Sequence, residues 1–218
     1  MRIELSTGTP AELVQPSAGA PTRGLVLWPD IMGLRPLFDD HCRRLADDNS
    51  WVVCAPEMFP GQEDLPLEDR HQAAASFVDA AKNADAVAAA DATGMDSVGI
   101  IGFCMGGMYA LKASSTGRFD RVVAFYGMIR VPELWIGDGQ GHAIDHVAAR
   151  GDTDVMAIVG TVDTWTPNEE VDELEQAGAT IVRYDGADHG FVHDPDRPAH
   201  RAEDAADAWS RALAFLAG

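Results

Sequence analysis

The sequence predicts an α/β fold of three layers, with a mostly parallel central sheet flanked by helices, on three observations. Six short apolar runs recur along the chain, helix-length segments separate them, and the runs are continuous rather than alternating. Continuous hydrophobicity means strands covered on both faces, the condition of a parallel sheet held between helical layers. Strands that alternate with helices in this way are joined by right-handed crossovers. The 218 residues are enough for one full core, and a single domain over 1–218 is expected.

The first 20 residues hold "RIEL" and "AELVQP" around a glycine-proline turn, which reads as a short antiparallel hairpin at the sheet edge. "GLVLWP" at 24–29 is the next strand, followed by a helix over 36–48 and the strand "WVVCAP" at 51–56. An alanine-rich helix over 68–92 leads to "SVGIIGF" at 97–103, a helix over 106–116 and "RVVAFYG" at 121–127. Residues 128–154 carry Trp135 and four glycines without a clear period and read as one irregular loop, either a lid or a surface excursion, since length alone does not decide. "VMAIVG" at 155–160, a helix over 167–178 with Pro167 near its first turn, "TIVRYDG" at 180–186 and a closing helix over 200–217 complete the chain.

Hydrophobic residues are 46% and charged residues 23%, ordinary globular usage. The charge is not ordinary: 35 acidic against 16 basic residues give a formal −19, with no basic stripe. Repulsion from phosphate backbones and anionic lipids therefore argues against nucleic acid and membrane surfaces as partners. No apolar run is long enough to span a bilayer and "MRIELSTGTP" lacks the apolar core of a signal peptide, so a cytoplasmic location is expected. Cys42, Cys54 and Cys104 are odd in number and lack metal-ligand spacing, which points to free thiols and no metal. No cofactor signature is present.

In "GIIGFCMGG" a strand ends and a helix begins at Cys104, with Gly102 two residues before it and Gly106 two after. This is the G-x-nucleophile-x-G spacing, in which small flanking residues let the backbone double back and the nucleophile stands out of the carboxyl edge of the sheet. A helix start at the same place supplies amides and a positive dipole end, which favour a thiolate and an anionic oxygen. Cys54, inside an apolar run, and Cys42, in a helix, read as packing residues.

A thiol nucleophile needs a base, and the base an orienting carboxylate. "VGTVDTWTP" puts Asp163 just past a strand end and "DGADHGF" puts His189 in the loop past the next. The order nucleophile, acid, histidine is that of α/β-hydrolases. His41, His71, His142, His146, His193 and His200 read as surface histidines; Asp185 and Asp188 are nearer to His189 in sequence but less well aimed. A second oxyanion donor is expected from the loop after the third strand, which makes Ile31 the partner of the Met105 amide. Asp30 beside it reads either as a carboxylate near the thiol or as an ordinary turn residue after Pro29.

With "LVLWPDIMGL", "GFCMGG", "VGTVDTWTP" and "DGADHGF" in this order, the chain resembles the dienelactone hydrolase family, an α/β-hydrolase branch with a cysteine nucleophile, over essentially its whole length. The resemblance implies Cys104 as nucleophile, His189 as base, Asp163 as its orienter and Asp30, where the family often has glutamate, as the acid that holds the resting thiol. It also implies arginines for a substrate carboxylate: Arg70 is the candidate for one, while the place shortly after the histidine reads "HGFVHD", with His193 instead. A histidine does not reproduce the bidentate geometry of arginine, which favours a neutral ester or lactone. Phe59, Tyr126, Trp135 and Trp165 are the candidate apolar walls.

The expected activity is hydrolysis of a small ester or enol lactone through a thioester, by a monomer or small homo-oligomer. The readings from other classes are a ligand-binding module without turnover and a thiol redox sensor built on Cys104.

Overall fold

The apolar runs form one eight-stranded sheet in the computed structural model, which describes residues 1–218. In chain order the strands are β1 Arg2–Glu4, β2 Pro10–Val14, β3 Arg23–Trp28, β4 Trp51–Pro56, β5 Val98–Phe103, β6 Arg121–Phe125, β7 Asp154–Gly160 and β8 Thr180–Tyr184. Their spatial order is β1-β2-β4-β3-β5-β6-β7-β8. Every pairing from β4 to β8 is parallel, and the β1–β2 hairpin adds antiparallel to the β4 edge. β3, β4 and β5 are buried at every position, as continuous apolar runs require.

The helices are α1 Pro36–Asn49, α2 Leu67–Ala73, α3 Asp79–Ala92, α4 Met105–Ala113, α5 Ala143–Ala148, α6 Asn168–Gln176 and α7 Ala202–Ala217. They lie on both faces of the sheet: α3, α4 and α5 pack in a row, whereas α1 and α7 meet through His41 and Trp209, ring centroids 5.5 Å apart. One contiguous cluster of 61 buried residues runs between the layers.

Three expectations change. The alanine-rich stretch is not one helix; it is α2, a 3-10 turn over Ala74–Ser76, and α3, with Phe77 and Val78 extended between them. Alanine repeats carry little directional apolar signal, so tertiary groups decide the break. Phe77 turns inward against Phe59 (centroids 4.8 Å apart), and Asp79, at the first turn of α3, pairs with the fully buried Lys112 at 2.6 Å. The 128–154 segment is partly ordered into a 3-10 turn, Glu133–Trp135, and α5. Its Gly141 amide donates to Asp79 Oδ2 at 2.7 Å, so the same buried carboxylate ties α3, α4 and this segment together. Finally, His41 and His193 are not at the surface: they are 6% and 1% exposed. His41 stacks on Phe103 and its Nε2 bonds the His193 carbonyl at 2.8 Å, a position that only the docking of α1 on the sheet creates.

The parallel register brings the carboxyl ends of β3, β5, β6, β7 and β8 to one edge. Asp30 and Ile31, Cys104, Tyr126, Asp163 and His189 follow those strands in that order. No helix is long and apolar enough to cross a membrane.

Candidate active site

Cys104 occupies the N-cap position of α4 with φ 56° and ψ −121°. For a non-glycine residue this is a strained conformation, costing about 1–3 kcal/mol, that persists only where the surroundings enforce it. The surroundings are visible in the flanking glycines: a Cβ on Gly102 would sit 2.1 Å from the Gly106 carbonyl oxygen, and one on Gly106 would sit 2.1 Å from the Pro29 carbonyl oxygen. Backbone meets backbone on both sides, so the two small residues are what lets the strand turn into the helix. The Cys104 amide donates to the Phe125 carbonyl at 3.0 Å, anchoring the turn to β6.

The side chain of Cys104 opens into a cavity of about 320 Å³ that it shares with His189, Ile31, Trp135 and Trp165. His189 Nδ1 bonds Asp163 Oδ2 at 2.8 Å, and the other Asp163 oxygen accepts the Trp165 amide at 2.8 Å. The nearer acids are spent elsewhere: Asp188 accepts the amide of His189, and Asp185 the hydroxyl of Thr161. His189 Nε2 is buried without a hydrogen-bond partner. Burial alone would push this imidazole down; its electrostatic interaction with Cys104 and its hydrogen bond to Asp163 outweigh it and raise the pKa to about 10.

The Ile31 amide donates to no protein acceptor, and Ile31 lines the cavity. The Met105 amide is at the first position of α4, where helix geometry provides no intrahelical acceptor. Two amides from separate elements thus stand free around the thiol, an arrangement able to hold an oxygen that gains negative charge.

Asp30 makes no hydrogen bond to Cys104. Its carboxylate takes both Arg35 guanidinium nitrogens at 2.6 and 2.9 Å, the Met32 amide at 2.9 Å and His193 Nε2 at 2.9 Å. Burial would raise the Asp30 carboxyl, but the hydrogen bonds from His193 and Arg35 dominate and hold it well below the usual carboxylate range. His193 completes a buried chain: Nε2–H donates to Asp30, and Nδ1 accepts the Tyr126 hydroxyl at 2.5 Å. A ring that accepts at Nδ1 and donates at Nε2 is a neutral imidazole, the form that burial favours, so Arg35 carries the charge that Asp30 pairs with.

Of the six expected substrate contacts, Trp135 and Trp165 line the cavity and four do not. Tyr126 and His193 lie beneath it, fully occupied with each other and with Asp30. Phe59 packs under the Arg70 guanidinium and against Phe77, lining a separate hollow. Arg70 is 2% exposed and donates to the carbonyls of Leu65, Glu63 and Ile31, so it braces the loop that carries the free Ile31 amide rather than facing solvent. An arginine with a long reach can be drawn inward by unpaired carbonyls, which sequence neighbours do not reveal.

Six residues that the sequence did not single out for the site line the cavity as well: the cationic Arg35 and Arg197, His71, the acidic Asp194, and the apolar Met32 and Leu67. Arg197 makes no side-chain hydrogen bond or ion pair, in a chain of net charge −19. Its guanidinium lies over Gly190, where a Cβ would be 2.7 Å from Cζ, so the glycine after His189 makes room for it. The signal in the sequence was faint: one arginine eight positions past the histidine, inside the acidic run "HDPDRP".

Comparisons with known proteins place the chain by family and fold. A profile described as the dienelactone hydrolase family matches residues 10–218. A protein of Methylorubrum extorquens, named as a candidate carboxymethylenebutenolidase, is 32% identical over 97% of this chain and 77% of its own length. The carboxymethylenebutenolidase of Rhodococcus opacus is 27% identical over 88% of this chain and 79% of its own. Among solved structures, a candidate dienelactone hydrolase from Klebsiella pneumoniae superposes with a TM-score of 0.79 at 26% identity, covering 96% of this chain and 92% of that one.

Proposed function

The chain belongs to the dienelactone hydrolase family of α/β-hydrolases, and from that premise we propose that it hydrolyses a small ester or enol lactone through a thioester on Cys104. The observation that carries this reading is the strained turn that presents Cys104 to a cavity shared with His189, itself bonded to Asp163.

In the resting site the raised value of His189 keeps the imidazole protonated against the thiolate. The thiolate attacks the carbonyl carbon, the oxygen is received by the Ile31 and Met105 amides, and His189 gives its proton to the leaving oxygen. Once the sulfur is acylated its charge is gone, and with it the main contribution that raised His189. The imidazole then drops toward the ordinary range and can take a proton from water, which attacks the thioester. One histidine thus serves as acid in the first half and base in the second. Thiolates leave more readily than alkoxides, so activated esters and enol lactones suit this nucleophile better than alkyl esters. Rapid mixing with p-nitrophenyl acetate is expected to give a burst of p-nitrophenolate equal to the enzyme present, with an acetyl group on Cys104 by mass spectrometry. Acetylation elsewhere with Cys104 free, or steady turnover with no adduct, would overturn the mechanism.

Arg197 supports an anionic substrate. The sequence favoured a neutral one because His193 stands where an arginine was expected, but a guanidinium reaches the cavity from farther along the same loop. Hydrogen bonds to charged groups are worth about 1.5–3 kcal/mol, so Arg197→Gln is expected to lower kcat/KM for a carboxylate-bearing enol lactone by roughly tenfold or more, mostly through KM. A neutral lactone of the same ring should lose much less. Equal losses on the two substrates would remove the argument for a carboxylate.

A further inference from the structure

His71 stands in a wall of three near-parallel rings. It lies 5.7 Å from Trp135 with the planes 25° apart and 6.1 Å from Trp165 with the planes 11° apart, and the two indoles are 5.6 Å apart at 24°. The rings come from three elements: α2, the Glu133–Trp135 turn, and the loop after β7. Trp135 Nε1 and His71 Nδ1 are 3.0 Å apart. An indole N–H is a donor only, so Nδ1 must accept, and a neutral imidazole that accepts at Nδ1 carries its proton at Nε2.

Trp135 has no freedom to relax that choice. It is 1% exposed, and its carbonyl takes the Gln140 side-chain amide at 2.8 Å, which also donates to the Ala74 carbonyl at 2.9 Å. His71 Nε2 makes no hydrogen bond within the protein, and His71 faces the cavity that holds Cys104 and His189. Trp165 is 38% exposed and its ring centroid is 6.1 Å from that of His189, so the wall runs from the His71 donor to the side of the reacting centre. The cavity therefore offers the exposed part of the Trp165 indole and, beside it at 6.1 Å between ring centroids, a donor whose direction the buried Trp135 sets before any ligand arrives. Flat π-faces favour planar conjugated partners, and a preset donor favours an acceptor oxygen at a fixed distance from the bond to be cut.

We infer that His71 is a specificity-determining residue that donates from Nε2 to an acceptor oxygen of a planar conjugated substrate lying against the Trp165 indole, with Trp135 behind it fixing the tautomer. The inference rests on the hydrolase reading for what the bound molecule is, but its test does not depend on turnover. The probe is trans-cinnamate, a planar conjugated carboxylate with no bond to hydrolyse. Long-range 1H–15N NMR of the wild type is expected to show His71 as the Nε2–H tautomer, with the Nε2 signal moving when cinnamate is added. Calorimetry should show binding weakened about tenfold by His71→Phe, which keeps a ring but has no donor, and largely recovered in His71→Gln, which keeps an N–H. Trp135→Phe should leave the aromatic face but give a mixture of His71 tautomers.

An Nδ1–H tautomer in the wild type, no binding of cinnamate, or equal binding by the wild type and His71→Phe would each overturn the inference. The Cys104→Ala protein binds cinnamate under this inference, so a failure of the thioester mechanism leaves the result readable.

Discussion

Cys104→Ala is expected to lower turnover of p-nitrophenyl acetate and of a small enol lactone by about 10⁴-fold or more, the scale at which loss of a nucleophile leaves only binding and oxyanion stabilisation. The loss should come without unfolding. Cys104 holds its positive φ because Gly102 and Gly106 let the backbone close around it, and alanine at the same position meets the same backbone with a smaller side chain. A melting temperature close to that of the wild type, measured beside the rates, separates chemistry from stability. Cys104→Ser should also be slow, because a hydroxyl does not form the ion pair that His189 is set up to share. Full activity in the alanine variant would mean that water is attacking directly and that the turn has another purpose.

The second large effect concerns His189. Its raised value, about 10, is reached against burial, chiefly through the interaction with Cys104 that the proposed mechanism assigns to a thiolate, with Asp163 adding to it. Removing the thiolate while leaving Asp163 in place should let burial reassert itself. NMR titration is expected to find the His189 ring protonated up to about pH 10 in the wild type and to find its midpoint lowered by two or more pH units in Cys104→Ala, toward the ordinary histidine value of ~6.5. The sign follows from which form each neighbour favours: anions stabilise the imidazolium and burial opposes it, so deleting an anion lowers the value. The same dependence predicts that kcat/KM falls on the alkaline side as His189 loses the proton it would give to the leaving oxygen. An unchanged midpoint in Cys104→Ala would mean that the two groups do not share a charge, and the acid-then-base role of His189 would fall with it.

Both predictions draw on residues that local sequence exposed. The G-x-C-x-G spacing is legible because one of the two clashes it avoids, Gly102 against Gly106, lies within four residues, although the other, Gly106 against Pro29, is made by a distant strand end. Asp163 and His189 are legible as strand-end residues because continuous apolar runs mark where β7 and β8 stop. The choice of Asp163 over Asp185 and Asp188 is a matter of direction. Neighbouring strand ends in a parallel sheet point to the same edge, whereas Asp185 and Asp188 turn back on Thr161 and on the His189 amide.

The misplacements share a cause. His193 was read as a surface or substrate-facing group, yet it is a buried strut between Asp30 and Tyr126. Arg70 was read as a substrate contact, yet its guanidinium is consumed by three carbonyls, and His71 was read as a surface histidine, yet it forms part of the cavity wall. For the two histidines the partners are far away in sequence, Asp30 being 163 positions from His193 and Trp135 64 from His71, and Arg70 joins the nearby carbonyls of Leu65 and Glu63 to that of Ile31, 39 positions away. Hydrophobic period and turn chemistry report how a segment meets its own neighbours, and they are silent about which distant side chain will take a hydrogen bond.

The sequence by itself determined the layered sheet, the strained turn at Cys104 and the three strand ends that meet there, because apolar continuity and glycine spacing act over a few residues at a time. Only the tertiary structure decided which histidines are buried, where the alanine-rich helix breaks, and that Arg197 and His71 rather than Arg70 and His193 face the cavity. Those outcomes depend on the satisfaction of buried polar groups by partners from other elements, and that competition is settled only when the layers close.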